Sequence, residues 1–212
     1  MFIVFEGIDG SGKGTQARML ADLLIRQGRR VVLTEEPTRE LFTGYFVRML
    51  LRSKEEPDPK TVAMLMAADR NEHVRKVIEP ALRAGAGEVV ISERYYWSSL
   101  AYQGAQGVDE SFIKALNEGF PKPDVTVLID LPVDEALERI RARAHGNEGL
   151  VQLFERREFL ERVQERYRRL AEEHGFVVVD GGEGQLRSIK EFWAPSAVRS
   201  CSSGSPHQSS RF

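Results

Sequence analysis

The chain has 212 residues, with 30 Lys and Arg against 32 Asp and Glu and a formal net charge of −2. That balance gives no global attraction to nucleic acid or to an anionic membrane surface. A single cysteine, Cys201, excludes an internal disulfide and a thiolate metal cluster and fits a cytoplasmic setting. The length suits one domain with one substantial core. The apolar opening run stops at Glu6, too short for a signal peptide or a membrane span.

Residues 2–5 (FIVF) form a β-rich run of the kind buried on both faces of a sheet. Gly7, Gly10, Gly12 and Gly14 follow, around Lys13, and the apolar period then becomes helical at Ala17, Leu20, Ala21, Leu24 and Ile25. A strand, a glycine-rich turn and a helix, with lysine at the junction, make the context of a phosphate-binding loop. Glycines let backbone N–H groups converge on an anion, and the helix adds its own unpaired N–H groups and positive dipole end. Lys13 supplies a mobile charge that can follow a phosphoryl group. Gly7 to Lys13, with Ile8, Asp9 and Ser11 inside it, fits G-x-x-x-x-G-K completely. Gly14 then stands where a Ser or Thr hydroxyl usually ligates Mg²⁺, and Thr15 follows one place later.

Further along, residues 30–34 (RVVLT) read as a second strand and 42–51 as an amphipathic helix. Asp58 is placed to cap a helix with Pro59 at its first position. That pattern runs to about Arg83, with a bend expected near Pro80. Residues 88–92 (EVVIS), 125–130 (VTVLID) and 176–180 (FVVVD) read as three more strands. Helices are expected over 95–103, 109–118, 132–142 and 154–173. Strands alternating with helices predict an α/β fold, three layers with a central five-stranded parallel sheet flanked by helices. Ligands in such sheets sit beyond the carboxyl ends of the strands. That rule singles out the glycine loop, Glu35-Glu36-Pro37-Thr38, Glu93-Arg94-Tyr95 and Asp130-Leu131-Pro132. The domain is expected to cover 1–193, with a lid at about 141–153. Residues 194–212, rich in serine and without apolar periodicity, read as a disordered tail. The histidines His73, His145, His174 and His207 are scattered, and no nucleophilic triad is visible.

Four motifs in register carry a resemblance: FEGIDGSGKGTQ, then MAADRNEHV at 66–74, SERYYWSSLAYQG at 92–104, and PKPD at 121–124. Over residues 1–180 the chain resembles thymidylate kinase, within the P-loop nucleoside monophosphate kinases. The resemblance implies ATP and dTMP as substrates, Mg²⁺ as cofactor, and a homodimer that binds neither nucleic acid nor membrane. It implies that Asp9 accepts from the acceptor's 3′-hydroxyl, although an Asx turn is the other reading of aspartate beside glycine. It implies that Arg70 reads the thymine carbonyl, where a helix-face ion pair is the plainer reading. Met66 stands where the family places a stacking phenylalanine. Arg94 would clamp transferred and acceptor phosphoryl groups. Glu93, one methylene longer than the family's aspartate, would orient metal-bound water or the attacking oxygen. Ser98, Ser99, Tyr102 and Gln103 share a stretch of helix and would line the nucleoside pocket. Arg139, Arg141 and Arg143 are the candidates for the lid arginine and for stacking on adenine. Asp9, Thr15 and Glu93 are the candidate metal ligands. Glu35 falls where many bacterial relatives carry arginine, so a phosphate contact is either lost or moved to Arg39. The departures at Gly14, Met66, Glu93 and Glu35 leave open two rivals: a kinase for another nucleotide, and a nucleotide-binding regulator without transfer.

Overall fold

A computed structural model describes residues 1–53, 55–85, 87–143 and 156–182, excluding the side chain of Arg143. The tail at 194–212 and most of the expected lid lie outside the described residues. Five strands, β1 (Phe2–Glu6), β2 (Arg30–Glu35), β3 (Glu88–Glu93), β4 (Val125–Asp130) and β5 (Val177–Asp180), form one parallel sheet in the order β2-β3-β1-β4-β5. β1 takes the middle because it is apolar on both faces. Ile3 and Phe5 pack with Ala17, Leu20 and Leu24 on one side. Phe2 and Val4 pack with Val74, Ile78, Val90 and Tyr95 on the other. Each such side chain taken fully from water contributes roughly 1.5–3 kcal/mol.

The helices are α1 (Lys13–Arg26), α2 (Phe42–Leu51), α3 (Pro59–His73), α4 (Glu79–Arg83), α5 (Tyr96–Ala105), α6 (Glu110–Leu116), α7 (Val133–Arg143) and α8 (Arg157–His174). Their bounds lie close to those read from the sequence. Asp58 caps α3 by accepting from the Thr61 N–H at 2.8 Å, and Asp109 caps α6 through the Phe112 N–H at 3.0 Å. The bend expected at Pro80 takes another form. α3 and α4 join through a π-helical segment, Val74–Ile78, directly ahead of the proline. Widening the ladder there is a known way to accommodate a ring that would crowd the carbonyl one turn back. Tyr95, expected inside α5, is instead extended and precedes the helix.

The register puts Phe5 level with Glu93 on one side and Val127 on the other. The carboxyl ends of β1 and β3 are therefore adjacent, and the segments leaving them meet. At the opposite end, Asp124 of the PKPD motif accepts from the Phe2 N–H at 2.7 Å, and its own N–H donates to the Phe2 carbonyl at 2.8 Å. That motif pins the starts of two central strands and lies away from the glycine loop.

Candidate active site

The chain from Gly7 to Gly12 links β1 to α1, and Gly12 precedes the helix at φ 95° with no side chain capping the first turn. The first N–H groups of α1 are thus left for an anion. Gly10, at φ 82°, is held by space as well as by conformation: a Cβ there would lie 2.4 Å from the Ala136 carbonyl oxygen of α7. Lys13 is buried and folds back over the loop, its Nζ 3.4 Å from the Ile8 carbonyl and 3.4 Å from Asp9 Oδ1. Glu93 Oε1 lies 3.8 Å from the same ammonium. Burial and the nearby Arg94 charge lower the Lys13 pKa, while Asp9, Glu93 and Glu6 oppose them.

Arg94 leaves β3 with φ 70°, the one non-glycine residue with positive φ among those described. That region is costly for a side-chain-bearing residue and recurs at functional sites. Its backbone is held on both sides: the Arg94 N–H donates to the Phe5 carbonyl at 2.8 Å, and Ser92 Oγ donates to the Arg94 carbonyl at 2.7 Å. The turn aims the guanidinium across the loop, where it donates to Asp9 Oδ1 at 2.7 Å, Ser98 Oγ at 2.9 Å and Tyr102 Oη at 3.1 Å. Tyr102 Oη in turn donates to Asp9 Oδ2 at 3.2 Å. Loss of surrounding water works against ionising Asp9, but the Arg94 and Lys13 charges and these hydrogen bonds outweigh it. They hold its carboxyl well below the usual carboxylate range. The Asp9 side chain is nevertheless 42% exposed, so one side of the carboxylate faces outward.

Beneath this cluster lies a carboxylate that the sequence reading passed over. Glu6, fully buried at the end of β1, accepts from the Tyr95 N–H at 2.9 Å, Ser98 Oγ at 2.6 Å and Tyr167 Oη at 2.8 Å. Burial raises its pKa, partly offset by the Arg94 charge and the three donors. The local signal was present: a charge immediately after an apolar strand and ahead of the loop. Tyr167 carried none, because it sits in the charged run of α8 that reads as a solvated face.

A second cluster forms below the carboxyl ends of β2 and β3. Arg70, with no exposed surface, donates to Glu36 at 2.8 Å, to Asn117 Oδ1, and to Ser99 Oγ at 3.4 Å. His73 bridges Glu36 Oε1 at 3.0 Å and Thr34 Oγ1 at 2.7 Å. Asp69 accepts from the Thr38 N–H at 2.7 Å and the Thr38 and Thr43 hydroxyls, tying the Glu36-Pro37-Thr38 turn to α3. Asp69 and Arg70 are thus both buried, Asp69 bonded to the Thr38 turn and Arg70 ion-paired to Glu36.

The remaining candidates spread around these two clusters. Met66 packs between α2 and α3 with Val47 and Val62. Gln103 is buried, and its Oε1 has no hydrogen-bond partner among the described residues. Arg139 ties α7 to the glycine loop and to the turn after β5, donating to the Ser11 carbonyl at 3.5 Å and the Gly181 carbonyl at 3.0 Å. Thr15 and Arg141 are exposed. Arg143 ends α7, and its side chain lies outside the described residues. Glu35 is ion-paired to Arg39 within the same turn. Asp9, Lys13, Glu93, Arg94, Ser98 and Tyr102 come together, and Arg70 and Ser99 come together beside them.

A thymidylate kinase family model matches residues 5–191. A probable thymidylate kinase of Methanocaldococcus jannaschii is 42% identical over 189 residues, covering 89% of this chain and 91% of the relative. One of Thermococcus kodakarensis is 46% identical over 179 residues, covering 81% and 84%. One of Pyrococcus horikoshii is 44% identical over 177 residues, covering 81% and 82%. With a parallel sheet, a lysine-bearing glycine loop and an arginine turned onto it, the chain belongs to the thymidylate kinase family.

Proposed function

We propose that the protein moves the γ-phosphoryl group of ATP onto dTMP, giving dTDP and ADP, at the junction of β1 and β3. The observation that carries this reading is the Asp9–Arg94–Lys13 cluster, two cations and one half-open carboxylate over an uncapped helix terminus. An oxygen of the dTMP phosphate forms the new bond to the γ-phosphorus while the bond to the β,γ-bridging oxygen breaks, and ADP leaves with that electron pair. The transition state spreads charge over the moving group, so the protein's work is positioning and electrostatic stabilisation. Gly7–Gly12 and the start of α1 hold the ATP phosphates. Lys13 and Arg94 neutralise the moving charge. Asp9 and Tyr102 meet the acceptor sugar, and the buried, fully paired Arg70 braces the base side from behind, with Ser99, Met66 and Gln103 beside it. Arg139, bonded to the Ser11 carbonyl of the loop, and Arg141 and Arg143 further along α7 are the candidate cations for the ATP side.

The donor set fits Mg²⁺, a hard cation that takes few protein oxygens and shares the rest with phosphates and water. The described residues contain no group of three or more His, Cys, Asp or Glu arranged as a self-sufficient metal site, and Glu93 and Asp9 are the carboxylates beside the loop. Held there by Glu93 and Asp9, the ion would offset the negative charge of the phosphates. Thr15 points into solvent and is the weakest of the three candidates.

The exposed Phe42, Tyr45, Phe46 and Met49 of α2, with Met64 of α3, support a homodimer through these helices. Sedimentation of the wild type against Phe46→Glu tests it, a wild-type monomer being the overturning result. No described helix is long and apolar enough to cross a membrane. A cytoplasmic enzyme acting on free nucleotides agrees with that and with the near-neutral charge.

The reaction itself is tested by coupled ADP release with ATP, Mg²⁺ and dTMP, run beside dUMP, dCMP and AMP. Clear preference for dTMP is expected. Saturable ATP binding without turnover on any acceptor would leave a nucleotide-binding regulator in its place.

A further inference from the structure

Two of the chain's departures from the family pattern are the glycine after the loop lysine and the glutamate before Arg94. In the fold these two positions face each other. A Cβ built on Gly14 would lie 2.3 Å from Glu93 Oε2, 2.9 Å from its Cδ and 3.2 Å from Oε1, and no closer atom belongs to any other residue. The Glu93 carboxylate therefore fills the volume that a side chain at position 14 would need. It reaches there because it has one methylene more than aspartate, about 1.5 Å of extra chain. Its other oxygen stays near Lys13 at 3.8 Å, and the side chain is a quarter exposed.

We propose that Gly14 and Glu93 are a size-matched pair in which the Glu93 carboxylate replaces the missing loop hydroxyl as the oxygen donor to the metal–nucleotide. Gly14 makes the room, Glu93 supplies the oxygen, and neither substitution is useful without the other. A glycine facing aspartate leaves the loop without a donor and with a gap. A hydroxyl residue facing glutamate collides with it. The exchange also changes the charge, since a neutral hydroxyl gives way to an anion beside the phosphates. Nucleotide binding must then depend more steeply on the cation, because without it carboxylate and phosphate repel. This inference rests on the phosphate-loop reading of the site and adds the specific donor to it.

The test uses the full chain as wild type, G14S, E93D, G14S/E93D and E93Q. Mn²⁺ affinity in the presence of ADP is read by electron paramagnetic resonance, and ADP affinity by calorimetry with and without Mg²⁺. G14S and E93D should each weaken Mn²⁺ binding about 10-fold or more, the range found when metal-site geometry is disturbed. The double variant should return to within about threefold of wild type, far from the product of the two losses. E93Q keeps the size and removes the charge, so it should weaken Mn²⁺ while improving ADP binding without metal. Multiplying losses in the double variant, or E93D with unchanged Mn²⁺ affinity, would overturn the pairing while leaving the kinase reading intact. Wild type that binds no ADP under any condition would overturn the loop reading itself. Misfolding is not expected to confuse the result, since the three atoms nearest to an added Cβ at position 14 all belong to the flexible end of Glu93.

Discussion

Two arginine–carboxylate assemblies lie side by side at the carboxyl ends of β1, β2 and β3, and they are built on opposite principles. Arg70 with Glu36 is closed: the side chains are 0% and 2% exposed, and His73, Asn117 and Ser99 complete their hydrogen bonds. Arg94 with Asp9 is half open, the carboxylate 42% exposed and the arginine on a strained backbone. A buried, saturated pair has little spare capacity and mainly holds one geometry. An open, strained pair keeps a face for a ligand and relies on its surroundings to stay aimed. The difference separates a scaffold from a working surface, even though the same two residue types form both.

The comparison can be broken most severely on the closed side. Glu36→Gln leaves Arg70 without its charge partner in a site closed to the surface, where removing one member of a buried pair typically costs about 3–5 kcal/mol. Urea denaturation should show that loss, and a change below about 1 kcal/mol would mean that Glu36–Arg70 is not the holding element. On the open side the effect should fall on the reaction. Arg94→Ala should lower kcat about 10²–10³-fold, the scale for removing one preorganised donor from a transition state. Its far-ultraviolet circular dichroism should match the wild type. A fold lost in place of activity would reverse the two roles.

The pH dependence sharpens the contrast. Against the opposing effect of burial, Arg94 and Lys13 hold the folded-state pKa of Asp9 well below the usual carboxylate range. Its pairing therefore contributes stability fully above about pH 4, and loses it as pH falls toward the lower folded value. The stability difference between wild type and Asp9→Asn should be flat near neutrality and shrink in acid. A difference that grows in acid would contradict the assignment. Glu6 runs the other way: burial raises its pKa and makes ionisation in the fold unfavourable, so its contribution declines as pH rises above the ordinary carboxylate range. The smallest effect belongs to Tyr167→Phe, which removes one of the three donors to Glu6. About 1 kcal/mol of stability is expected to go, with a fall in kcat of only a few-fold, since Ser98 still links Glu6 to Arg94.

The strand–glycine–helix opening was legible because its signals are local. Apolar period, turn glycines and helical spacing all lie within about two dozen consecutive residues. β4 and α2 were bounded correctly for the same reason. Asp9 and Arg94 could be nominated from position and resemblance. Their 2.7 Å contact could not, because it spans 85 residues of sequence and depends on the β1–β3 register. Glu6 and Tyr167 were missed for a related reason. A buried carboxylate is recognised by the donors that converge on it, and these come from Tyr95, from α5 and from α8, distant segments of the chain.

By itself, then, the sequence determined the parallel α/β fold, the phosphate-binding loop and the list of cations and carboxylates available to it. These follow from short-range periodicity, glycine's freedom and the rule that strand ends bear the chemistry. The tertiary structure decided which arginine is sealed in as scaffold and which is aimed at a half-open carboxylate. It also showed that Gly14 and Glu93, each an isolated oddity in the sequence, share one small volume. Partnership of that kind is a matter of distance and excluded space. Neither exists until β1 and β3 lie side by side.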